Sequence, residues 1–450
     1  MGRAGVMALG AGGLLALAWF AGPYTANDAP CQAGAWRQEG AGVVVLVPTA
    51  GNQPQLRWLL MDGSTGTLTP DALGRWRGNA GWTEQPHPTE WRFNGCDTGQ
   101  ADGHPVTKLA LDMHETRFQS RGVELAGRLV LPPGVERVPV VVLVHGSETR
   151  SARDHSALQY LYPAHGIGVF VYDKRGTGAS GGNYTQDFDL LADDAVASLA
   201  EARRLAGPRL GASGFEGASQ GGWVAPLAAT RTEVDFVLVA YGLAVSPWQE
   251  DQAQVDSELA AAGFGREERA HAREVARVTG RMMSTRMEQG AQELDGLRRR
   301  HARSAWWPRM KGEYTGDLVS YPTPLLRLAL PWFDKGTPWD HDPMPVLRMV
   351  DAPMLWILAE DDRDAPPAET LRRLDGLAKE QRPITYRVFP DTDHGIVEFT
   401  TGEDERRMKT RYATGYLSMK VEWIRSAGRG QTDPPIGMPQ SSPDEAAPQL

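Results

Sequence analysis

Gly217-Ala218-Ser219-Gln220-Gly221-Gly222 is the stretch from which the fold can be read. Residues 217 to 221 follow the pattern G-x-S-x-G, in which a serine sits on a sharp turn between a strand and a helix. The flanking glycines make room for that strained turn, and the turn pushes the serine hydroxyl outward. A helix starting near Trp223 and running to Thr230 aims its N-terminal amides at the same point. A serine hydroxyl is a poor nucleophile without a base, so the rest of the chain has to supply one.

On such a turn the partners follow in the order serine, then Asp or Glu, then histidine. The acid belongs in a loop after a late strand. Met354 to Leu358 reads as that strand, and Ala359-Glu360-Asp361-Asp362-Arg363-Asp364-Ala365-Pro366 as the loop. Four carboxylates compete there. Asp362 has the spacing expected of the acid turn, and Asp361 is the next candidate. One histidine follows this loop: His394, in Phe389-Pro390-Asp391-Thr392-Asp393-His394-Gly395. A developing oxyanion also needs preorganised amide donors. The residue after the serine, Gln220, supplies one. Ser147, in the loop His145-Gly146-Ser147-Glu148 after the apolar run Val138 to Val144, is the candidate for the other. His145 itself reads as structural.

Outward from these motifs the pattern is α/β. Val138 to Val144, Ile167 to Tyr172, Phe236 to Ala240 and Met354 to Leu358 are nearly continuous apolar runs. Such strands, separated by helix-length segments, indicate a parallel sheet covered on both faces. Helices are expected over Asp187–Ala206, Trp223–Thr230 and Glu405–Arg425. Residues 246–345 interrupt the alternation and read as a helical cap, with Ser257–Met287 helical. In the cap, Arg269, Arg273, Arg277 and Arg281 share one helix face. That face is either solvated or a binding surface for an anionic substrate. Trp306, Trp307, Trp332 and Phe333 either pack the cap or line a pocket. Residues 31–105 read as a small β-rich module punctuated by tryptophans and turn glycines, with little core of its own. Residues 427–450 read as a disordered tail.

Together these residues resemble the α/β-hydrolase superfamily over roughly residues 116–426. The resemblance rests on His145-Gly146, on Tyr172-Asp173-Lys174-Arg175-Gly176-Thr177-Gly178, on the serine turn, on the acid turn and on Asp393-His394-Gly395. Within the superfamily the chain looks most like bacterial hydrolases related to serine aminopeptidases and prolyl oligopeptidases. The resemblance implies an α/β-hydrolase domain over 106–426, a mostly parallel sheet with helices on both faces, and a Ser219-Asp362-His394 triad. It implies cleavage of an ester or a peptide bond without a metal or organic cofactor. An aminopeptidase would need a carboxylate near the cap for the substrate ammonium; Glu148, Glu250 and Asp251 are candidates. A non-catalytic binding protein on the same fold is the reading from a different class. Gly176-Thr177-Gly178-Ala179-Ser180-Gly181 also matches G-x-G-x-x-G, but it follows a later strand and no helix opens directly after it, against dinucleotide binding.

Composition narrows the remaining choices. Apolar residues make up 41% and charged residues 23%, an ordinary globular mixture. The net charge of −9 argues against nucleic acid as the main partner. The N-terminus carries Arg3 and then an apolar, charge-free run from Ala4 to Gly22, ended by Pro23. Residues 1–26 are therefore expected to be a cleaved export signal, a retained membrane anchor or, least in keeping with the pattern, a buried helix. Export to the periplasm would allow the only two cysteines, Cys31 and Cys96, to form a disulfide.

Overall fold

The computed structural model describes residues 31–38, 42–51, 54–402 and 406–427. The expected signal or anchor at 1–26 and all but the first residue of the expected tail lie outside the described residues. Among the described residues no helix is long and apolar enough to cross a membrane.

The N-terminal module is a closed barrel of eight antiparallel strands, β1 (Gly34–Gln38), β2 (Gly42–Pro48), β3 (Leu56–Leu60), β4 (Thr65–Pro70), β5 (Trp76–Ala80), β6 (Pro86–Asn94), β7 (Thr98–Ala101) and β8 (His104–Lys108). β8 returns to pair with β1, which leaves the sheet no open edge. Contrary to the sequence expectation, the barrel has a core, with Trp36, Leu46, Leu56, Trp58, Leu68 and Trp91 packed inside it. Its outer face is buried too. Alternate residues of the same strands, Ala35, Val45, Val47 and Leu59, join an apolar layer of the α/β domain. Two buried faces explain why β2 reads as a continuous apolar run although it is antiparallel.

Cys31 and Cys96 form a disulfide with Cα atoms 5.2 Å apart, tying the start of β1 to the β6–β7 turn. The bond closes a sequence separation of 65, so its reduction is expected to lower stability by about 2–4 kcal/mol. Because the barrel shares a layer with the α/β domain, the loss is expected across the whole chain. Denaturant titration with and without reductant checks this; an unchanged midpoint contradicts it.

The α/β domain is built on one sheet of eight strands. They are β9 (Asp112–Ser120), β10 (Val123–Leu131), β11 (Val138–Val144), β12 (Gly168–Tyr172), β13 (Leu210–Ala218), β14 (Phe236–Ala240), β15 (Met354–Ala359) and β16 (Ile384–Phe389). The order across the sheet is β16-β15-β14-β13-β11-β12-β10-β9. β9 and β10 form an antiparallel hairpin, β10 runs antiparallel to β12, and the remaining pairs are parallel. Val140, Val142 and Val144 of β11 face a layer with α3 (Phe188–Ala206) and α4 (Gly221–Ala229). Val141 and Leu143 face the opposite layer, made by α1 (Ala152–His155), α2 (Leu158–Ala164), α12 (Tyr416–Ala427) and the barrel. α3 begins as expected, with the Asp187 carboxylate accepting from Leu190 N at its N-cap.

Between β14 and β15 the chain forms α5 (Pro247–Ala261), α6 (Arg266–Ser284), α7 (Ala291–His301), α8 (Thr315–Ser320), α9 (Thr323–Phe333) and α10 (Met344–Met349). α5 and α6 are two helices where one was expected over Ser257–Met287. Gly263 takes φ +80° and ends the first of them. These helices have their own core, which includes Val255, Val275, Met282 and Leu294. Trp306 and Trp307 are buried in it, which makes them packing residues; the side chains of Trp332 and Phe333 lie outside the described residues. Arg269 and Arg273 both pair with Asp256, and Arg281 pairs with Glu293. Three of the four arginines on that face are therefore paired within the cap helices, and Arg277 is exposed.

After β16 come β17 (Thr392–Asp393), β18 (Val397–Thr401) and β19 (Arg407–Tyr412), a small antiparallel sheet. The helix expected over Glu405–Arg425 begins only at Tyr416. Residues 407–412 pair along β18 instead, and Gly415 at φ +87° separates strand from helix. Non-local pairing here overrides a helical pattern.

Candidate active site

Ser219 follows β13 directly and precedes α4. Its φ of +51° is a left-handed conformation for a residue with a side chain. The turn is held by Ser219 N donating to Ala240 O (3.0 Å) and Gly222 N donating to Ser219 O (2.7 Å). The glycines around it are a steric requirement. A Cβ on Gly217 would stand 2.1 Å from Gly221 O, and one on Gly221 would stand 2.2 Å from Val144 O.

The loop after β17 brings His394 to this turn, with Nε2 3.2 Å from Ser219 Oγ. Nδ1 lies 2.9 Å from Asp362 Oδ2 and 3.2 Å from Oδ1. With the proton on Nδ1, the ring donates to Asp362 and accepts from the serine hydroxyl. Asp362 is buried in the loop after β15, and its Oδ1 also accepts from Ala365 N (2.7 Å). Asp361 is exposed, and its backbone is taken up by Thr392 O and Arg407. Of the four carboxylates in this loop, Asp362 is the one hydrogen-bonded to the imidazole. Burial pulls the His394 pKa down, but the hydrogen bond and charge of Asp362, with Asp364 beside it, outweigh burial. The imidazole is held above its ordinary value, with Lys409 opposing.

Ser147 lines a cavity of about 560 Å³ together with Ser219, His394, Glu148 and Tyr241. Lys174 Nζ donates to Gly146 O, and Tyr184 OH donates to Ser147 O at 2.5 Å. In a trans peptide the N–H opposes the C=O. Fixing Gly146 O on Lys174 therefore turns the Ser147 N–H away from Lys174. Among the described residues neither Ser147 N nor Gln220 N has a hydrogen-bond acceptor. His145 is anchored on Tyr172 O at 3.0 Å, as a structural residue would be. The loop after Tyr172 is a scaffold: Asp173 accepts from Ser151 Oγ (2.7 Å) and Ala179 N (3.0 Å), and Arg175 pairs with buried Asp194. No helix follows Gly176–Gly181 until α3, in keeping with the reading against a dinucleotide.

Several residues around the site carry no motif. Glu216, three residues before Ser219, accepts from Tyr162 OH (2.6 Å) and pairs with Lys420 (2.5 Å), joining α2, β13 and α12 beneath the serine turn. The Tyr241 ring meets His394 edge-on with centroids 4.9 Å apart. Tyr241 follows a recognisable strand, and that position was the one signal for it. Glu313 and Asp364 join Glu250 in an acidic group. Burial raises all three pKa values; Glu313 and Asp364 raise Glu250 further, Asp364 raises Glu313, and Asp362 and Asp393 raise Asp364. The charge of His394 acts on Glu313 and Asp364 in the opposite sense. Asp251 does not belong to this group in function. It is buried and accepts from Tyr314 N, Thr315 N and Thr315 Oγ1, which fixes the start of α8. Glu148 lines the cavity with Ser147 and Ser219.

The sheet order and the serine turn define an α/β-hydrolase. Residues 141–405 match the model of the alpha/beta hydrolase family, and the chain belongs to that family. The proline iminopeptidase of Mycobacterium smegmatis is similar at 18% identity over 70% of this chain and 99% of that one, with a TM-score of 0.43. An acylaminoacyl peptidase of Pyrococcus horikoshii is similar at 15% identity over 76% of this chain and 50% of that one, TM-score 0.40. Est1E of Butyrivibrio proteoclasticus, solved with ferulic acid, is similar at 14% identity over 70% of this chain and 98% of that one, TM-score 0.41. No curated protein gives a significant match.

Proposed function

We propose that the protein is an exported serine hydrolase that cleaves an ester or amide bond through an acyl-enzyme. The observation that carries this reading is the hydrogen-bonded chain from Ser219 through His394 to Asp362. In the proposed mechanism Ser219 Oγ attacks the carbonyl carbon as its proton passes to His394 Nε2. Asp362 keeps the other ring proton on Nδ1 and stabilises the imidazolium. The amides of Ser147 and Gln220 receive the oxyanion. His394 then protonates the leaving group, and water, deprotonated by the same ring, releases the acyl group. The Cys31–Cys96 disulfide supports export, because such bonds persist in oxidising compartments.

The acidic group favours a second reading, an aminopeptidase. Glu250 and Glu313 of the cap and Asp364 of the acid loop gather carboxyl groups near the site; burial disfavours their charged forms, and a substrate ammonium beside them would restore the charge that recognition requires. A panel of acyl esters against aminoacyl and N-acetylated aminoacyl amides separates the readings. Preference for the free-amine amides supports the peptidase, and cleavage confined to esters supports the esterase. Failure of Ser219-dependent cleavage on every member leaves the non-catalytic binding reading.

The pH dependence follows from His394. Its pKa is raised in the folded protein, and only the neutral ring accepts the serine proton. Activity is therefore expected to fall as pH drops through a midpoint above 6.5, the ordinary histidine value. A kcat/KM profile checks this; a midpoint at or below that value contradicts it.

A further inference from the structure

The barrel reaches the site through β19. One edge of that strand pairs with β18, which continues from the His394 loop. The barrel holds the same strand at three points. Trp82 N donates to Lys409 O (3.1 Å), Tyr412 N donates to Gly63 O (3.0 Å), and Arg411 donates to Asp62 O (2.5 Å). The Trp82 ring meets Tyr412 edge-on at 5.4 Å, and the Arg57 guanidinium lies 4.6 Å over Trp82. At Gly81, with φ +57°, a Cβ would stand 2.4 Å from Thr410 O and 2.8 Å from Lys409 O. Backbone meets backbone there, so the contact admits only glycine.

From β19 the contacts continue into the acid–base pair. Lys409 Nζ donates to the His394 carbonyl at 3.1 Å. Arg407 pairs with Asp393 at 3.0 Å and donates to Asp361 O at 2.6 Å. One strand therefore grips the residue before the base and the residue before the acid. The backbone beyond His394 needs such support. Gly395 and Ile396 take φ of +93° and +57°, and a β-branched residue holds that conformation only where its surroundings impose it.

We propose that the N-terminal barrel is an intramolecular brace for the acid–base pair, and that Lys409 is the positioning residue through which it fixes His394 against Ser219 and Asp362. The proposal rests on the hydrolase reading above. A misplacement of about 1 Å in a reacting group costs roughly 10²-fold in rate. A brace on the His394 backbone is therefore felt in catalysis. The groups facing the imidazole are Asp362 and Asp364 from the acid loop, Glu313 from the cap, Tyr241 and Ser219 from the strand ends, and Lys409. Lys409 is the cation of that set, and it opposes the carboxylates.

The test is the rate of Ser219 modification by a fluorophosphonate, measured on the full chain against pH and probe concentration. Lys409→Met is expected to lower the limiting rate about tenfold and to move the acid-limb midpoint upward, because the opposing cation is gone. Lys409→Arg is expected to restore most of both. Trp82→Ala, on the barrel side, is expected to lower the limiting rate with probe affinity and midpoint unchanged, below its own unfolding temperature. At Lys409, a purely structural role would change the unfolding temperature and leave the midpoint in place. Limiting rates for Lys409→Met and Trp82→Ala within about twofold of the parent, or losses lying wholly in probe affinity, overturn the brace alone. Absence of any modification at Ser219 in the parent removes the hydrolase reading and the brace with it.

Discussion

Ser219→Ala is expected to lower turnover by at least about 10³-fold while leaving the fold in place. The hydroxyl is hydrogen-bonded to His394 and, among the described residues, to no other side chain. The left-handed backbone at this position is imposed by the turn, through Ser219 N on Ala240 O and Gly222 N on Ser219 O, and alanine keeps both bonds. Steady-state kinetics on whichever panel member is cleaved, with circular dichroism to confirm folding, checks this. Turnover near the parent level in a folded mutant contradicts the assignment of the nucleophile.

Asp362→Asn is expected to cost about 10³–10⁴-fold in kcat, for a different reason. The asparagine oxygen can still accept from Ala365 N, as Asp362 Oδ1 does. Its amide nitrogen then faces the imidazole, which must present an acceptor at Nδ1. The ring proton moves to Nε2, where it can no longer accept from Ser219. Asp361→Asn is expected to change little, because that carboxylate is exposed and the residue is held through its backbone. The reverse outcome, with Asp361→Asn disabling and Asp362→Asn tolerated, contradicts the geometry of the acid loop.

The parts of the site that could be read from sequence were those fixed by local chemistry or chain order. Ser219 sits in a pattern whose glycines are sterically required. Asp362 and His394 follow because the order of partners leaves few choices. The central strands were legible because residues such as Val140 to Val144 are buried on both faces. What was not legible depends on contacts distant in sequence. Barrel closure is a pairing of β1 with β8, and nothing in either strand specifies it alone. Residues 407–412 carry a pattern compatible with a helix, and pairing with β18 makes them a strand. Glu313 and Lys409 carry no motif, and Asp364 stands in the acid loop only as a competing carboxylate; they gain a role because the cap, the acid loop and β19 converge on His394.

Intact mass and peptide mapping after fluorophosphonate treatment test the central claim most directly. A single adduct is predicted, on the peptide carrying Ser219, formed faster above the His394 midpoint than below it and lost in Ser219→Ala. No adduct, or an adduct on a different serine that survives Ser219→Ala, would contradict the account.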